Sequence, residues 1–469
     1  MPLSAHYPNT LTDDQAAALP RLEHFLATDD PQIFLLKGYA GTGKTFLMDG
    51  LVRFLEQQER TFQMLAPTGR AAMILGEKAQ VEAHTVHHWI YELDEQATTD
   101  EQSVFKLKDN EDDADCLYII DEASMVGNFQ MGQPAVLFGS GKLLEDLLEF
   151  VGPRKILFVG DTAQLPPVGM TISPALERQM LESEYGLTVE ESVLREVRRQ
   201  TLESGILQTA TQLRVAMEHP PVQWLRFTYQ FPDLHRINSR QTTQTLAPTG
   251  KIQDLSGTIL ITQTNREALA INQDLRQKVF LNPLQVQPGD RLMITQNSLI
   301  QDRLVYNGQF VEVLQAAEQT QQMVQVVKAR QEGIGVSKTI RLYFRHLKLR
   351  LEDGFEFESL IVDDLLDKEA ANLSTTEGMA LMVNFQDRMR KFNIGQDSDD
   401  YRRLQMTDPY LNALRVKYGY AITCHKAQGG EWNRVIVDAR THFRVPYDYY
   451  RWAYTAVTRA AKELFVIEP

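Results

Sequence analysis

Residues 34 to 52 read FLLKGYAGTGKTFLMDGLV: an apolar run, a group of glycines around one lysine, then apolar residues at helical spacing. Gly38, Gly43, Lys44 and Thr45 fit G-x-x-x-x-G-K-[ST], a loop whose backbone N–H groups turn inward onto phosphate oxygens, and Gly41 and Thr42 lie in the same turn. In such a loop Lys44 neutralises the outer phosphates and the Thr45 hydroxyl ligates Mg²⁺. Further on, IIDEAS presents Asp121 and Glu122 side by side. Asp121 suits a direct or water-mediated contact to the cation, and Glu122 suits a general base that orients a water against the terminal phosphate. GDTAQLPPVG adds Asp161 and Gln164 ahead of Pro166 and Pro167, which stiffen the exit. Gln164 reads either as a sensor of the terminal phosphate or as a turn residue. Two arginine clusters, LREVRRQ (194–200) and YTAVTRAAK (454–462), read as surface residues or as a second source of positive charge. An arginine reaching in from a partner domain contributes roughly 10³ to 10⁵ in rate at phosphoryl-transfer sites.

The elements that must hold these residues follow from the apolar pattern. LTDDQAAALPRLEHFL predicts a short helix with Thr12 as its N-cap, interrupted early by Pro20. IFLLKG, FQMLAP, DCLYIIDE and KILFVGD are apolar runs ending in glycines or acids, with helices predicted after Gly43 and from Gly69 to about Lys78. Buried strands of a parallel sheet read this way, and such sheets bind ligands at the carboxyl ends of their strands. The pattern returns in SGTILITQTNREALAINQDLR, RVIVDA and ELFVIEP, which predicts a second α/β domain. Between the two, from about 285 to 415, short alternating segments separated by Gly, Asn and Asp have the texture of a β-barrel, followed by a polar helical stretch.

Composition sets the limits. A chain of 469 residues, 43% hydrophobic, accommodates two or three domains with sizeable cores. Cys116 and Cys424 stand far apart without metal-ligand spacing, and neither a leader peptide nor a long apolar run occurs, which predicts a cytoplasmic protein with no membrane partner. The net charge of −14 argues against a polyanionic partner on average, yet charge is unevenly spread. Acids crowd Glu92 to Asp115, whereas Lys328 to Arg350 is rich in Lys and Arg with a single acid. Each run reads as a solvated face or as a patch for a partner.

Taken together and in this order, from LTDDQ to YTAVTRA, the motifs resemble those of superfamily 1B DNA helicases of the RecD-like, Pif1-like and phage Dda type. The resemblance covers nearly the whole chain and is loosest in the barrel and the helical stretch after it. It implies two RecA-like P-loop motor domains, the first over 1–190 with a short pin at about 88–114, the second over 191–284 and 415–469. An SH3-like barrel with helices fills 285–414. It implies an ATP- and Mg²⁺-dependent motor that steps 5′ to 3′ on single-stranded DNA and opens forks or tailed duplexes. Such a motor acts as a monomer, with single-strand-binding, replication or repair proteins as partners. The alternative is a clamp or remodelling factor that ATP switches on DNA without processive movement.

Carried over residue by residue, Gln15 resembles the adenine-reading glutamine, and Arg199 and Arg459 resemble the two phosphate-sensing arginines that join Lys44, Glu122 and Gln164. LAPTGRAA offers Pro67, Thr68 and Arg70 to a DNA backbone, AHTVHHWI offers Thr85 and His87, and AITCHKAQGGEW offers Thr423, His425, Lys426 and Gln428. In the pin region Trp89, Tyr91 or Phe105 either stacks on a base at the fork or packs internally. Lys44→Ala should abolish ATP hydrolysis, and Glu122→Gln should retain nucleotide binding but stop turnover. Phosphate-release and equilibrium-binding assays on the two variants check this pair of outcomes.

Overall fold

A computed structural model describes residues 2–8, 10–94, 97, 103–128, 136–197, 204–218, 227–250, 255, 257–280, 283–301, 303–331, 334–396, 398–440, 443 and 445–468. Helix α1 (Asp13–Ala27) opens on a capping box in which the Thr12 side chain accepts the Gln15 N–H and the Gln15 side chain accepts the Thr12 N–H. Pro20 does not interrupt it. The helix runs on through the proline because Leu19, Leu22 and Phe25 bury against the first sheet. That burial offsets the roughly 3 kcal/mol an interior proline costs.

The first sheet is wholly parallel. It is built from β1 (Ile33–Gly38), β2 (Phe62–Ala66), β3 (Ala83–Thr85), β6 (Leu117–Ile120), β8 (Lys155–Gly160) and β9 (Val189–Leu194), in the order β3-β2-β6-β8-β1-β9. Helices α2 (Lys44–Gln57), α3 (Gly69–Ala79), α4 (Val86–Ile90), α5 (Leu143–Val151) and α6 (Arg178–Tyr185) accompany it. Alternate residues of β1 feed opposite cores: Phe34 and Leu36 meet Leu47 and Leu51 on one face, Ile33 and Leu35 meet Ile120 and Phe158 on the other. Strand β9 straddles residue 190, so the first sheet reaches Leu194 by pairing with β1.

The pin region forms a small sheet of β4 (Tyr91–Leu93), β5 (Ser103–Leu107) and β7 (Val136–Phe138). Its tip lies outside the described residues except for residue 97. The three aromatics pack at the base. Trp89 stacks on His84 and donates to Asp112, the Tyr91 hydroxyl donates to Asp146, and Phe105 stacks on Phe138.

Past α7 (Gly205–Glu218), a second parallel sheet runs β10-β22-β21-β11-β20. Its strands are β10 (Leu234–Ile237), β11 (Thr258–Thr262), β20 (Ala421–Thr423), β21 (Trp432–Asp438) and β22 (Ala460–Ile467), with helices α8 (Thr242–Leu246), α9 (Asn265–Val279), α12 (Cys424–Ala427) and α13 (Pro446–Val457). The chain is thus an α/β protein with two parallel sheets. Between β11 and β20 the expected barrel region folds as an antiparallel sheet, β16-β17-β15-β12-β19, with β18 paired to β17 and β13 to β14. These are β12 (Arg291–Ile294), β13 (Ser298–Ile300), β14 (Arg303–Val305), β15 (Phe310–Ala316), β16 (Gln321–Gln331), β17 (Ile334–Leu351), β18 (Glu356–Val362) and β19 (Val416–Tyr418). Helices α10 (Thr375–Lys391) and α11 (Asp399–Thr407) follow β18.

The C-terminal part of the basic run, on β17, is matched by acids. Arg345 pairs with Asp363, Lys348 with Glu356, and Arg350 with Glu312 and Glu356. This sheet is fastened to the second domain by Arg276 of α9, whose Nε and Nη2 each lie 2.9 Å from a different oxygen of Asp290, with both side chains buried. Asp290→Ala should leave that guanidinium buried without its counter-charge and lower stability by about 3 to 5 kcal/mol in urea unfolding. A loss near zero would mean the carbonyls of Pro283 and Gln285, which also accept from Arg276, suffice alone.

Candidate active site

The loop between β1 and α2 turns at Gly41 and Gly43, with φ of +79° and +82°, a conformation that a side chain disfavours. A Cβ at Gly43 would also stand 2.4 Å from the Gln15 amide nitrogen. Gln15 is fully buried, and its amide donates to the Thr42 carbonyl at 2.9 Å while its carbonyl completes the α1 capping box. As placed, Gln15 braces the loop from behind, and reading a base would require giving up Thr42. Lys44 Nζ donates to the carbonyls of Gly38 (2.6 Å) and Tyr39 (3.2 Å).

Asp121 and Glu122 stand at the end of β6, as expected of a parallel sheet. Burial first, then the neighbouring Glu122, pushes the Asp121 carboxyl up to about 7. Like charges held this close fit a divalent cation, which would draw the proton off Asp121. Thr45, Asp121 and Glu122 line one cleft, and a hydroxyl with one or two carboxylates is the protein share of a Mg²⁺ site completed by phosphates. Glu122 adopts φ of +50°, a strained setting for a non-glycine residue and one that concentrates at functional sites. Gln164 lines the same cleft, its side-chain Oε1 buried with no donor among the described residues.

The cleft, about 340 Å³, is closed by the second domain. Arg459 enters just after α13, its Nη1 3.9 Å from Glu122 Oε1 and 3.2 Å from the Gly430 carbonyl. Arg199 lies outside the described residues. Helix α13 is locked onto the loop after β8: Arg451 donates to the carbonyls of Gln164, Thr171 and Thr162, and the Thr455 hydroxyl accepts the Leu165 N–H at 2.8 Å. Sequence reasoning missed Arg451 and Thr455. Their signal was a polar stripe at i and i+4 in the otherwise apolar RWAYTAV, the mark of a second buried face on a helix.

The residues expected on a DNA path divide. Thr68 caps α3 through the Ala71 N–H, with Pro67 beside it at the exit of β2, and Thr85 is buried and caps α4 through the His88 N–H. His87 packs on Tyr91 and Phe138, and burial pushes its imidazole down to about 4, so it carries no charge at neutral pH. Arg70 is not on open surface: its guanidinium lies between the rings of Phe310 (4.9 Å) and Trp432 (4.7 Å) and pairs with Glu352. Gln428, 4% exposed, donates to the Leu165 carbonyl and so belongs to the joint between domains. His425 is exposed. Thr423 and Lys426 line a small pocket with Lys417, which the sequence reading also missed.

Comparison with known proteins adds two family matches: an AAA domain over residues 10–228 and a UvrD-like helicase C-terminal domain over 418–467. The chain is 24% identical over 465 residues to an ATP-dependent RecD2 DNA helicase of Deinococcus radiodurans, covering 97% of this chain and 48% of that protein. It is 33% identical over 172 residues to an ATP-dependent DNA helicase Pif1 of Bdellovibrio bacteriovorus, covering 34% of each. It therefore spans less than half the length of either relative. Among solved structures, Pif1 helicase from Candida albicans aligns with 98% of this chain and 95% of its own at 17% identity and a TM-score of 0.47.

Burial pushes Lys426 down to about 8, and burial reinforced by Lys426 does the same to Lys417, with Lys368 also opposing and Asp367 favouring the charge. Both ammonium groups are charged below that value and lose the proton as pH rises through it. With Lys426 on the DNA path that its sequence motif implies, affinity for a single-stranded oligonucleotide should fall between pH 7 and 9, measured at constant salt. Lys426→Arg, charged throughout, should flatten the decline, and an identical slope in that variant would exclude Lys426 from the strand's path.

Proposed function

We propose that this chain is a superfamily 1B helicase, an ATP-driven motor that moves 5′ to 3′ on single-stranded DNA and unwinds duplexes at forks or tailed ends. The observation that carries the reading is the entry of Arg459 from the second domain beside Glu122 of the first, so that the triphosphate site is complete when the two sheets close on each other.

In this reading the loop N–H groups and Lys44 hold the phosphates, and Thr45 and Asp121 would hold Mg²⁺, which would supply charge compensation for the triphosphate. Glu122 takes the proton of the attacking water, and the buried Gln164 side-chain Oε1 orients that water. Arg459, joined by Arg199, stabilises the charge that develops on the transferred phosphoryl group. Hydrolysis and release loosen the grip of Arg459 and let the domains part. Pro67 and Thr68 on the first domain, and Thr423, His425 and Lys426 on the second, then change their spacing along the strand. Contacts of this kind fall on phosphates and sugars rather than base edges, so movement needs no sequence readout.

The same reading includes a monomer in the cytoplasm that meets single-strand-binding, replication or repair proteins at its substrates. Among the described residues no helix is long and apolar enough to cross a membrane.

Purified protein should hydrolyse ATP faster with single-stranded DNA and should unwind a duplex bearing a 5′ tail. Arg459→Ala should slow turnover by roughly 10³ while leaving strand binding intact. Unwinding from a 3′ tail alone would overturn the polarity. Stimulated hydrolysis with no displacement of a block bound to the strand would favour an ATP-switched clamp.

A further inference from the structure

Tyr454 sits on α13 with its side chain 1% exposed, and its hydroxyl makes two hydrogen bonds, both to the first domain. It donates to Asp161 Oδ2 at 2.6 Å and accepts the backbone N–H of Ala40 at 2.9 Å. Ala40 is the third residue of GYAGTGKT, and Asp161 follows the last residue of β8.

Each bond meets a need created by burial. Asp161 is wholly buried, and burial holds its carboxyl above the usual range, against the pull of Lys44 and of the phenol. A carboxylate taken out of water is costly unless donors reach it, and here the Tyr454 hydroxyl and the Ala163 N–H do so. The Ala40 bond has a further consequence. The N–H of Ala40 and the carbonyl of Tyr39 belong to one planar peptide group. That carbonyl accepts from Lys44 Nζ at 3.2 Å and from the Thr42 hydroxyl at 2.8 Å. The plane is thus held at its N–H by the second domain and at its C=O by Lys44. The neighbouring Tyr39 side chain is held from the same side, its hydroxyl on Glu218 at 3.1 Å and its ring 4.2 Å beneath the Arg214 guanidinium.

We propose that Tyr454 is a positioning residue for the phosphate site: through the Tyr39–Ala40 peptide and the Asp161 carboxylate, its hydroxyl sets the perch of Lys44 when α13 docks. The loop's working shape then depends on domain closure and is not a fixed property of the first domain. The kinetic part of this proposal rests on reading the cleft as an ATPase site. The structural part does not.

Tyr454→Phe keeps the buried ring and removes both hydrogen bonds. Residue-resolved amide exchange, measured without nucleotide, should show Ala40 exchanging at least tenfold faster, with the amides of β1 and β8 unchanged. With single-stranded DNA present, kcat for ATP should fall about tenfold while KM stays within about twofold, the split expected when an interaction serves the transition state more than binding. Unchanged Ala40 protection, or unchanged kcat in an active enzyme, would overturn the proposal. So would general acceleration across β1 and β8, which would make the hydroxyl a matter of stability alone. A wild-type protein that turns over no ATP would instead overturn the motor reading, and Ala40 exchange would still decide the role of Tyr454.

Discussion

Three backbone carbonyls, those of Thr162, Gln164 and Thr171, converge on the guanidinium of Arg451, and the cleft between the two sheets depends on that convergence. The loop that carries them includes Pro166 and Pro167, which have no N–H to offer, so its acceptors outnumber its donors. Arginine matches the deficit with five donors in one plane. Burial lowers its hold on the proton, and the carbonyls compensate. With Arg451 fixed, helical geometry does the rest: Tyr454 and Thr455 lie three and four positions on and meet the same loop, and Arg459 emerges just past the helix end.

What could be read in advance was local. The turn at Gly41 and Gly43, the N-cap at Thr12, and the acids at the ends of buried strands depend on residues a few positions apart, and each appears where the pattern placed it. Pro20 is the exception among local signals, because the buried side chains around it outweigh a propensity. Arg70 and Gln428 show the other limit. Their partners Phe310, Trp432 and Leu165 lie hundreds of positions away, so a short motif could name these residues as strand-facing without revealing that the other domain already occupies them. Gln15 is intermediate: its importance was legible, while its hold on Thr42 came from the tertiary arrangement.

Charge followed the same rule. The run from Lys328 to Arg350 stands out in the sequence, yet pairing across adjacent strands matches Lys348 and Arg350 with acids, and Arg345 is buried against Asp363. Exposed pairs of this kind contribute about 0 to 1 kcal/mol each, so they offset the charge at the end of the run more than they hold the sheet. Near the expected strand path, cationic character lies around Lys417 and Lys426, where burial and then Lys426 lower the hold of Lys417 on its proton.

The Arg70 sandwich has a mechanical meaning. Its three members come from three bodies: Arg70 from the first domain, Phe310 from the inserted sheet and Trp432 from the second domain. A guanidinium leaving two aromatic faces gains nothing until water can reach it, so a half-open seam strands a dry charge and is the least favourable arrangement. Opening the seam therefore uncovers a guanidinium, two aromatic rings and the ion pair to Glu352 together. One side chain thus ties three bodies into a single contact that must be made or lost as a unit.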